Sequence, residues 1–179
     1  KTPVHLMSNA KVENGVLHLS GHDEWVEVYR SRNVELNGKA LTISFDVKPG
    51  KLSGTHEGAA YITKGNTQFG VVQKGSDKLQ FYLHSGVKHT LDVDLPANWM
   101  GNWHHVTASW DSKEMKLYID GELKGTETTA PQASNNNGRR GNQSGERGVL
   151  SNFPYPINIG RFAGNHAQDP QTIYTADAE

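Results

Sequence analysis

Apolar residues stand at every second position wherever they cluster in this sequence, as in Leu79-Gln80-Phe81-Tyr82-Leu83. Successive side chains of a β-strand point to opposite faces of a sheet, so a period of two predicts strands with one buried face. No stretch keeps the i, i+3, i+4, i+7 spacing over the length that a helix needs. The pattern therefore predicts a nearly all-β protein with Leu79, Phe81 and Leu83 in its core.

Turn-forming residues such as Glu13-Asn14-Gly15 and Ile119-Asp120-Gly121 separate the alternating runs. Many short strands in a chain of 179 residues indicate one domain, residues 1–179, built as a two-sheet antiparallel β-sandwich. The predicted strands are residues 16–20, 25–29, 41–48, 59–64, 69–74, 78–84, 89–94, 103–110, 115–119 and 157–161.

Composition excludes several classes of function. The chain has 18 Lys and Arg against 19 Asp and Glu, so no overall field attracts nucleic acid or an anionic membrane. It has no Cys, which excludes thiolate zinc sites and cysteine nucleophiles. Its apolar runs are far shorter than a membrane span. We therefore expect neither nucleic acid nor a membrane as a partner.

Residues 134–152 are rich in Gly and Asn and nearly without apolar anchors, which predicts a long mobile loop. Arg139, Arg140 and Arg147 on this loop could clamp an acidic ligand. A solvated insertion without function is the simpler interpretation of such a segment.

Three motifs follow the alternating runs at 15–19 and 41–48: Trp103-His104-His105-Val106, Leu117-Tyr118-Ile119-Asp120-Gly121 and Ile157-Asn158-Ile159-Gly160. In this order they resemble laminin-G-like domains of the concanavalin A-like lectin/glucanase superfamily, of the type appended to bacterial glycoside hydrolases such as β-galactosidases. The resemblance implies a concanavalin-like jelly roll. Such domains close with a strand of the type Gly-x-Ile-Asp-x-Val-x-Ile-Tyr, which this sequence lacks. We therefore expect a sandwich without its final strand, or one that a continuation of the chain completes.

Sugar recognition needs an aromatic platform for the C–H face of a pyranose, with hydrogen-bonding groups around it. Outward positions of the predicted central strands and polar loops supply such residues. The predicted ligand-binding residues are Tyr82, His84, Trp99, His105, Tyr118, Tyr155 and Arg161. For Trp99, core packing is an equally good interpretation. The resemblance places Trp103 in the core, and alternation places Trp110 there beside Val106.

The sequence contains no catalytic signature. It has neither the alternating carboxylates of a sandwich glycosidase nor a Gly-x-Ser-x-Gly elbow. His104 and His105 face opposite sides of one strand, so they cannot chelate one zinc ion together. The resemblance implies one structural calcium ion, for which Asp23 is the candidate ligand. An ordinary turn role for Asp23 is the alternative.

The resemblance implies a non-catalytic carbohydrate-binding or accessory module of a secreted glycoside hydrolase such as a β-galactosidase. Its partners would be a glycan, either a galactoside or a plant or host polysaccharide, and the catalytic domain of the parent enzyme. Its location would be extracellular or periplasmic. The alternative is a structural or protein-interaction sandwich that packs on a catalytic domain. A sandwich-fold glycan hydrolase or lyase is a third, less favoured hypothesis.

Overall fold

The computed structural model describes residues 2–20, 24–50, 58–65, 67–130, 148–162, 174–175 and 177–178. Every strand pair within these residues is antiparallel, and their one helix is the short 3-10 helix Arg32–Val34. The prediction of an antiparallel all-β sandwich is confirmed. No helix in the described part of the chain is long and apolar enough to span a membrane.

The larger sheet has seven strands. In spatial order they are β1 (Val4–Met7), β4 (Trp25–Val28), β13 (Ile157–Ile159), β6 (Gly58–Lys64), β7 (Phe69–Lys74), β8 (Lys78–Ser85) and β9 (Val87–Asp94). The last four follow one another in the chain and pair through short turns.

A four-stranded sheet lies opposite, in the order β12 (Glu122–Thr128), β11 (Glu114–Ile119), β10 (His104–Trp110) and β5 (Leu41–Val47). Two small sheets complete the described strands. One has the order β16 (Asp177–Ala178), β3 (Val16–Ser20) and β2 (Lys11–Glu13), and the other pairs β14 (Arg161–Phe162) with β15 (Tyr174–Thr175).

The hydrophobic core fills the space between the two large sheets. Leu79, Phe81 and Leu83 of β8 are fully buried, as the alternation predicts, and Val106 and Leu117 meet them from the four-stranded sheet. Each such side chain contributes roughly 1.5–3 kcal/mol through burial. Trp110 also lies in this core, as predicted.

One polar network is embedded in this core. The Gln73 Oε1 accepts hydrogen bonds from the Tyr61 hydroxyl at 2.7 Å and from the Trp99 Nε1 at 3.0 Å. The Gln73 Nε2 donates to the Gly75 carbonyl at 2.9 Å. Trp99 also stacks on the His104 ring, with centroids 4.8 Å apart. The network joins the larger sheet to the beginning of β10.

The structure departs from the predicted strands mainly where burial is weak. The strands β1, β2, β12, β15 and β16 were not predicted from the sequence. β12 shows why, because most of its side chains are exposed and it has no apolar alternation. Its backbone pairing with β11 holds it in the sheet, and such pairing leaves little trace in a hydrophobic pattern.

The end of the predicted loop 134–152 has an anchor that composition did not reveal. Leu150 is buried in the core, and its N–H donates to the Gly38 carbonyl at 2.9 Å. The Ser151 N–H donates to the His84 carbonyl at 2.8 Å. Residues 134–147, with the three arginines, lie outside the described residues. The single domain over residues 1–179 and the missing closing strand stay predictions.

Candidate functional site

The outward side of the four-stranded sheet carries a cluster of polar and aromatic side chains, which we name the polar face. His105 lies opposite Asp46, and Thr107 lies opposite Ser44, in the pairing of β10 with β5. Directly opposed residues of neighbouring strands share one face of a sheet. Tyr118 of β11 lies opposite Thr107 on the other side. The polar face consists of these residues and Trp103: Ser44, Asp46, Trp103, His105, Thr107 and Tyr118.

Hydrogen bonds join four members of the polar face into one network. The His105 Nδ1 donates to the Asp46 Oδ1 at 2.7 Å. The Ser44 Oγ lies 3.0 Å from the His105 Nε2 and 3.2 Å from the Thr107 Oγ1. With the Nδ1 proton directed to the Asp46 carboxylate, the His105 Nε2 accepts a hydrogen bond from the Ser44 hydroxyl. These side chains are therefore positioned before any ligand arrives.

Trp103 stands beside this network and is 51 % exposed. The prediction that it belongs to the core is wrong. Trp103 precedes the first residue of β10 and, by alternation, points to the same side as His105, away from the buried His104. An exposed indole next to hydrogen-bonding groups is the arrangement that suits a sugar ring.

Asp120 holds the beginning of β10 from the turn that follows β11. Its Oδ1 accepts the His105 backbone N–H at 2.9 Å, and its Oδ2 lies 2.7 Å from the His104 Nδ1. The bond to His104, together with the His105 N–H, keeps the pKa of the Asp120 carboxyl below its usual value. The other His104 nitrogen, Nε2, donates to the Asn98 carbonyl at 3.0 Å. The Asp of the Leu-Tyr-Ile-Asp-Gly motif thus binds both histidines of the Trp-His-His-Val motif.

A groove of about 820 Å³ opens next to the polar face. Its apolar lining comes from three parts of the fold: Val16, Leu17 and Leu19 of β3, Phe45 and Val47 of β5, and Tyr61, Ile62 and Ile159 of the larger sheet. Asp46, Trp103, His105 and Asp120 stand at its rim. The groove is therefore apolar inside and polar along one edge.

The structure brings together only two of the predicted ligand-binding residues, His105 and Tyr118. Tyr82 points away from the core, as alternation predicts, but it is only 2 % exposed, so the prediction that it is open to a ligand is wrong. Its hydroxyl donates to the Gly65 carbonyl at 2.6 Å, and its ring covers Gly70 so closely that a Cβ there would lie 2.5 Å from the Tyr82 hydroxyl oxygen. Trp99, also 2 % exposed, is a core residue.

The remaining predicted ligand-binding residues lie away from the polar face. His84 is half-buried on β8, where burial, with Lys88 and His89 nearby, lowers its pKa. Tyr155 stacks with Phe153, their ring centroids 6.0 Å apart. The Arg161 guanidinium covers the Trp25 ring at 4.3 Å. Ligand contact by these three residues stays a prediction.

The described residues contain no cluster of three or more His, Asp or Glu side chains that could hold a metal ion. Asp23, the predicted calcium ligand, lies outside the described residues. The calcium site therefore stays a prediction.

Sequence reasoning missed Ser44, Asp46 and Trp103. Alternation in β5 does place Ser44 and Asp46 on its polar side, so part of the signal was present. Alternation does not show which strand pairs with β5, because β5 and β10 are separated by more than fifty residues in the chain.

A family model for laminin-G-type domains, described as the concanavalin A-like lectin/glucanases superfamily, matches residues 20–153. No curated protein matches the chain. Among solved structures, the binding domain of Paraclostridial Mosquitocidal Protein 1 is similar with a TM-score of 0.64 and 14 % identity, over 99 % of this chain and 43 % of that chain. The botulinum neurotoxin serotype G binding domain is similar with a TM-score of 0.66 and 13 % identity, over 99 % of this chain and 43 % of that one.

The botulinum neurotoxin serotype D ligand binding domain, solved in complex with N-acetylneuraminic acid, is similar with a TM-score of 0.64 and 17 % identity. The match covers 99 % of this chain and 42 % of that chain. The chain thus spans less than half the length of these toxin domains. At such identities the likeness shows a shared fold.

Proposed function

The chain belongs to the concanavalin A-like lectin/glucanases superfamily, and from this premise we propose that it is a non-catalytic carbohydrate-binding module whose glycan lies on the polar face. One observation carries the proposal: an exposed Trp103 stands beside the prearranged network of His105 and Asp46. The indole offers an apolar plane to the C–H face of a pyranose, and the network offers donors and acceptors to its hydroxyls.

The prearranged network favours binding because side chains that are already held lose little further freedom when a ligand arrives. We nevertheless expect weak, millimolar affinity for a single sugar. Each sugar hydroxyl exchanges a hydrogen bond to water for one to protein, and the net gain is small. Among the similar toxins, the serotype D ligand binding domain was solved in complex with N-acetylneuraminic acid, and cell entry of neurotoxin type C depends on two ganglioside molecules. They support a glycan as the ligand class, and a galactoside or a plant or host polysaccharide is the glycan we propose.

Ser44, His105 and Asp46 are arranged like the nucleophile, base and acid of a hydrolase, but the setting favours binding. Ser44 lies within β5, whereas the nucleophile of an α/β-hydrolase stands on a sharp turn after a strand. The Asp120 carboxyl, the second acid at the rim, has a lowered pKa, whereas the general acid of a glycosidase needs a raised one. The proposed role of these groups is therefore hydrogen bonding to sugar hydroxyls.

Further parts of the proposal rest on the family resemblance alone. We propose that the module belongs to a secreted glycoside hydrolase such as a β-galactosidase, in an extracellular or periplasmic location, with the catalytic domain of that enzyme as its second partner. The module would then keep the enzyme near its substrate by raising the effective concentration of the glycan. One structural calcium ion, bound with Asp23, is part of the same proposal.

The proposal is tested by screening the chain on a glycan array and by titrating galactosides and sialosides against ¹⁵N-labelled protein. We expect the amide signals of β5 and β10 to shift at millimolar ligand. Trp103→Ala should weaken binding by about tenfold or more, which corresponds to roughly 1.4 kcal/mol or more. Tyr29→Ala is the matched control, because Tyr29 is an exposed aromatic residue stacked on His5 of the larger sheet. Binding that Trp103→Ala leaves unchanged, or no binding to any glycan, contradicts the proposal.

A further inference from the structure

Two carboxylates stand beside the exposed indole of the polar face. The Asp46 side chain is 72 % exposed and the Asp120 side chain 51 % exposed. Both contact His105, Asp46 at the Nδ1 of the ring and Asp120 at the backbone N–H. Both also line the groove that Trp103 lines. A sugar ring that lies on Trp103 therefore has two carboxylates close to it.

The two carboxylates differ in what they offer a ligand. The Asp46 Oδ1 accepts the Nδ1 proton of His105, and in the described part of the chain no group donates to its Oδ2. Asp120 uses both oxygens in its contacts with His104 and His105. The bond to His104 is the main cause of the lowered pKa of the Asp120 carboxyl, which therefore stays negative at neutral pH. Asp46 can thus accept a hydrogen bond from a ligand, while Asp120 adds negative charge.

The strands around the polar face hold little positive charge that could balance these carboxylates. The four strands of this sheet contain two lysines and no arginine. Lys116 pairs with Glu114 at 3.3 Å, and Lys124 pairs with Glu122 at 2.7 Å. Lys48, directly after β5, is half-buried and already has an interaction partner. A charged ligand on the described part of this face would therefore meet mainly negative charge.

The Trp103 indole favours the same sign of ligand charge. The face of an aromatic ring attracts a cation, and among side chains the Trp ring does so best. An ammonium group near the indole would be attracted by the ring and by Asp46, whereas a carboxylate would be repelled by both. At physiological ionic strength such charges act over about 8 Å, so a charged substituent need not touch Asp46 to be affected.

We propose that the polar face selects sugars by charge, with Asp46 as the main specificity-determining residue. It prefers amino sugars with a free ammonium group to neutral sugars, and neutral sugars to uronic and sialic acids. This charge preference rests on the proposed glycan-binding function, whose class of ligand it narrows.

The test uses three methyl galactosides that differ only at C6, where they carry an ammoniomethyl group, the native hydroxymethyl group or a carboxylate. Each is titrated against ¹⁵N-labelled protein at pH 7 and low salt. We expect the amino sugar to bind about fivefold more tightly than the neutral galactoside and the uronate about fivefold more weakly, as exposed charge pairs allow. About 0.5 M sodium chloride should narrow both differences by screening the charges.

One variant assigns the preference to Asp46. Asp46→Asn keeps an acceptor for the His105 Nδ1 and removes the charge, so the ratio of amino-sugar to uronate affinity should fall by about threefold or more. Asp94→Asn makes the same change of net charge on the far edge of the larger sheet and should leave the ratio unchanged. The ratio is the decisive readout, because general damage to the polar face would weaken binding of all three sugars equally.

Equal affinities for the three galactosides, or tightest binding of the uronate, overturn the charge preference while the proposed function stands. An unchanged ratio in Asp46→Asn, or an equal change in Asp94→Asn, also overturns it. If none of the three galactosides binds, the charge preference is overturned as well. The proposed function then still depends on its own tests, the glycan array and the Trp103→Ala variant.

Discussion

Asp120 occupies a left-handed backbone position, with φ of 54°, and connects the two motifs that identify the family. Asp and Asn tolerate this conformation better than most residues because their short side chains bond locally. The carboxylate accepts the His105 N–H and lies 2.7 Å from the His104 ring. At this single position, backbone shape and hydrogen bonding both favour an acidic residue.

Asp120→Asn keeps the tolerated backbone conformation and removes the charge. The folded pKa of Asp120 lies below its unfolded value, so its charge stabilises the fold above the unfolded pKa, near 3.9, and this contribution is lost as the pH falls through the folded pKa. We expect the variant to lose roughly 1 kcal/mol or less at pH 7, since the side chain is half exposed, and this deficit to be smaller at pH 3.

Urea denaturation at both pH values measures this difference. Asp77→Asn, a substitution in the exposed turn between β7 and β8, is the control and should change stability little at either pH. A deficit of the same size at pH 3 as at pH 7 would show that the Asp120 charge is not the cause.

At the scale of elements, the Gln73 network connects β7 to β6 and to the segment before β10. Gln73 is buried, and its one carbonyl oxygen serves two buried donors, the Tyr61 hydroxyl and the Trp99 Nε1. Burial raises the pKa of Tyr61, so the hydroxyl keeps its proton and stays a donor. The position of Trp99 then sets where His104 stacks and where the polar face begins.

Gln73→Leu is expected to destabilise the fold by roughly 2–4 kcal/mol, because it leaves two buried donors without acceptors. Gln80→Leu is the control. Gln80 lies on the outward face of β8, and its amide donates to the exposed Asp92 carboxylate at 2.8 Å. Guanidinium denaturation of both variants measures the difference. Equal losses would mean that the core network adds nothing beyond an ordinary surface hydrogen bond.

At the scale of the whole molecule, calcium would act as a ligand of the folded state. Calcium-binding modules outside cells have dissociation constants of about 10⁻⁴ to 10⁻³ M. At about 10 mM calcium, mass action would then add roughly 1.4–2.7 kcal/mol to the free energy of unfolding. The described residues contain no group of three or more His, Asp or Glu side chains that could hold the ion, and Asp23 lies outside them.

We therefore expect about 10 mM calcium to raise the thermal midpoint by a few degrees relative to a chelator. Asp23→Asn should remove the increase, whereas Asp94→Asn, on the far edge of the larger sheet, should preserve it. Calorimetry with and without calcium measures the shift. Identical midpoints would show that the predicted calcium ion does not bind.

The sequence by itself determined which segments are strands with a buried face, and which side of each strand enters the core. The alternation in 79–83 and in 106–110 placed Leu79, Phe81 and Trp110 correctly, because the two-residue period of a strand is a local property of the chain. The Trp-His-His-Val and Leu-Tyr-Ile-Asp-Gly motifs indicated the family because they too are local, since both belong to the hairpin of β10 and β11.

Tertiary structure alone decided which strands are neighbours and what covers each outward face. Ser44 and Asp46 meet His105 across 61 and 59 residues of chain, and no local period encodes that pairing. Tyr82 was expected to be exposed and is buried, whereas Trp103 was expected to be buried and is exposed. The exposure of a side chain depends on what packs above it and not only on the face of the sheet that it occupies. The polar face and the groove are therefore products of strand order, which long-range packing sets and periodicity does not.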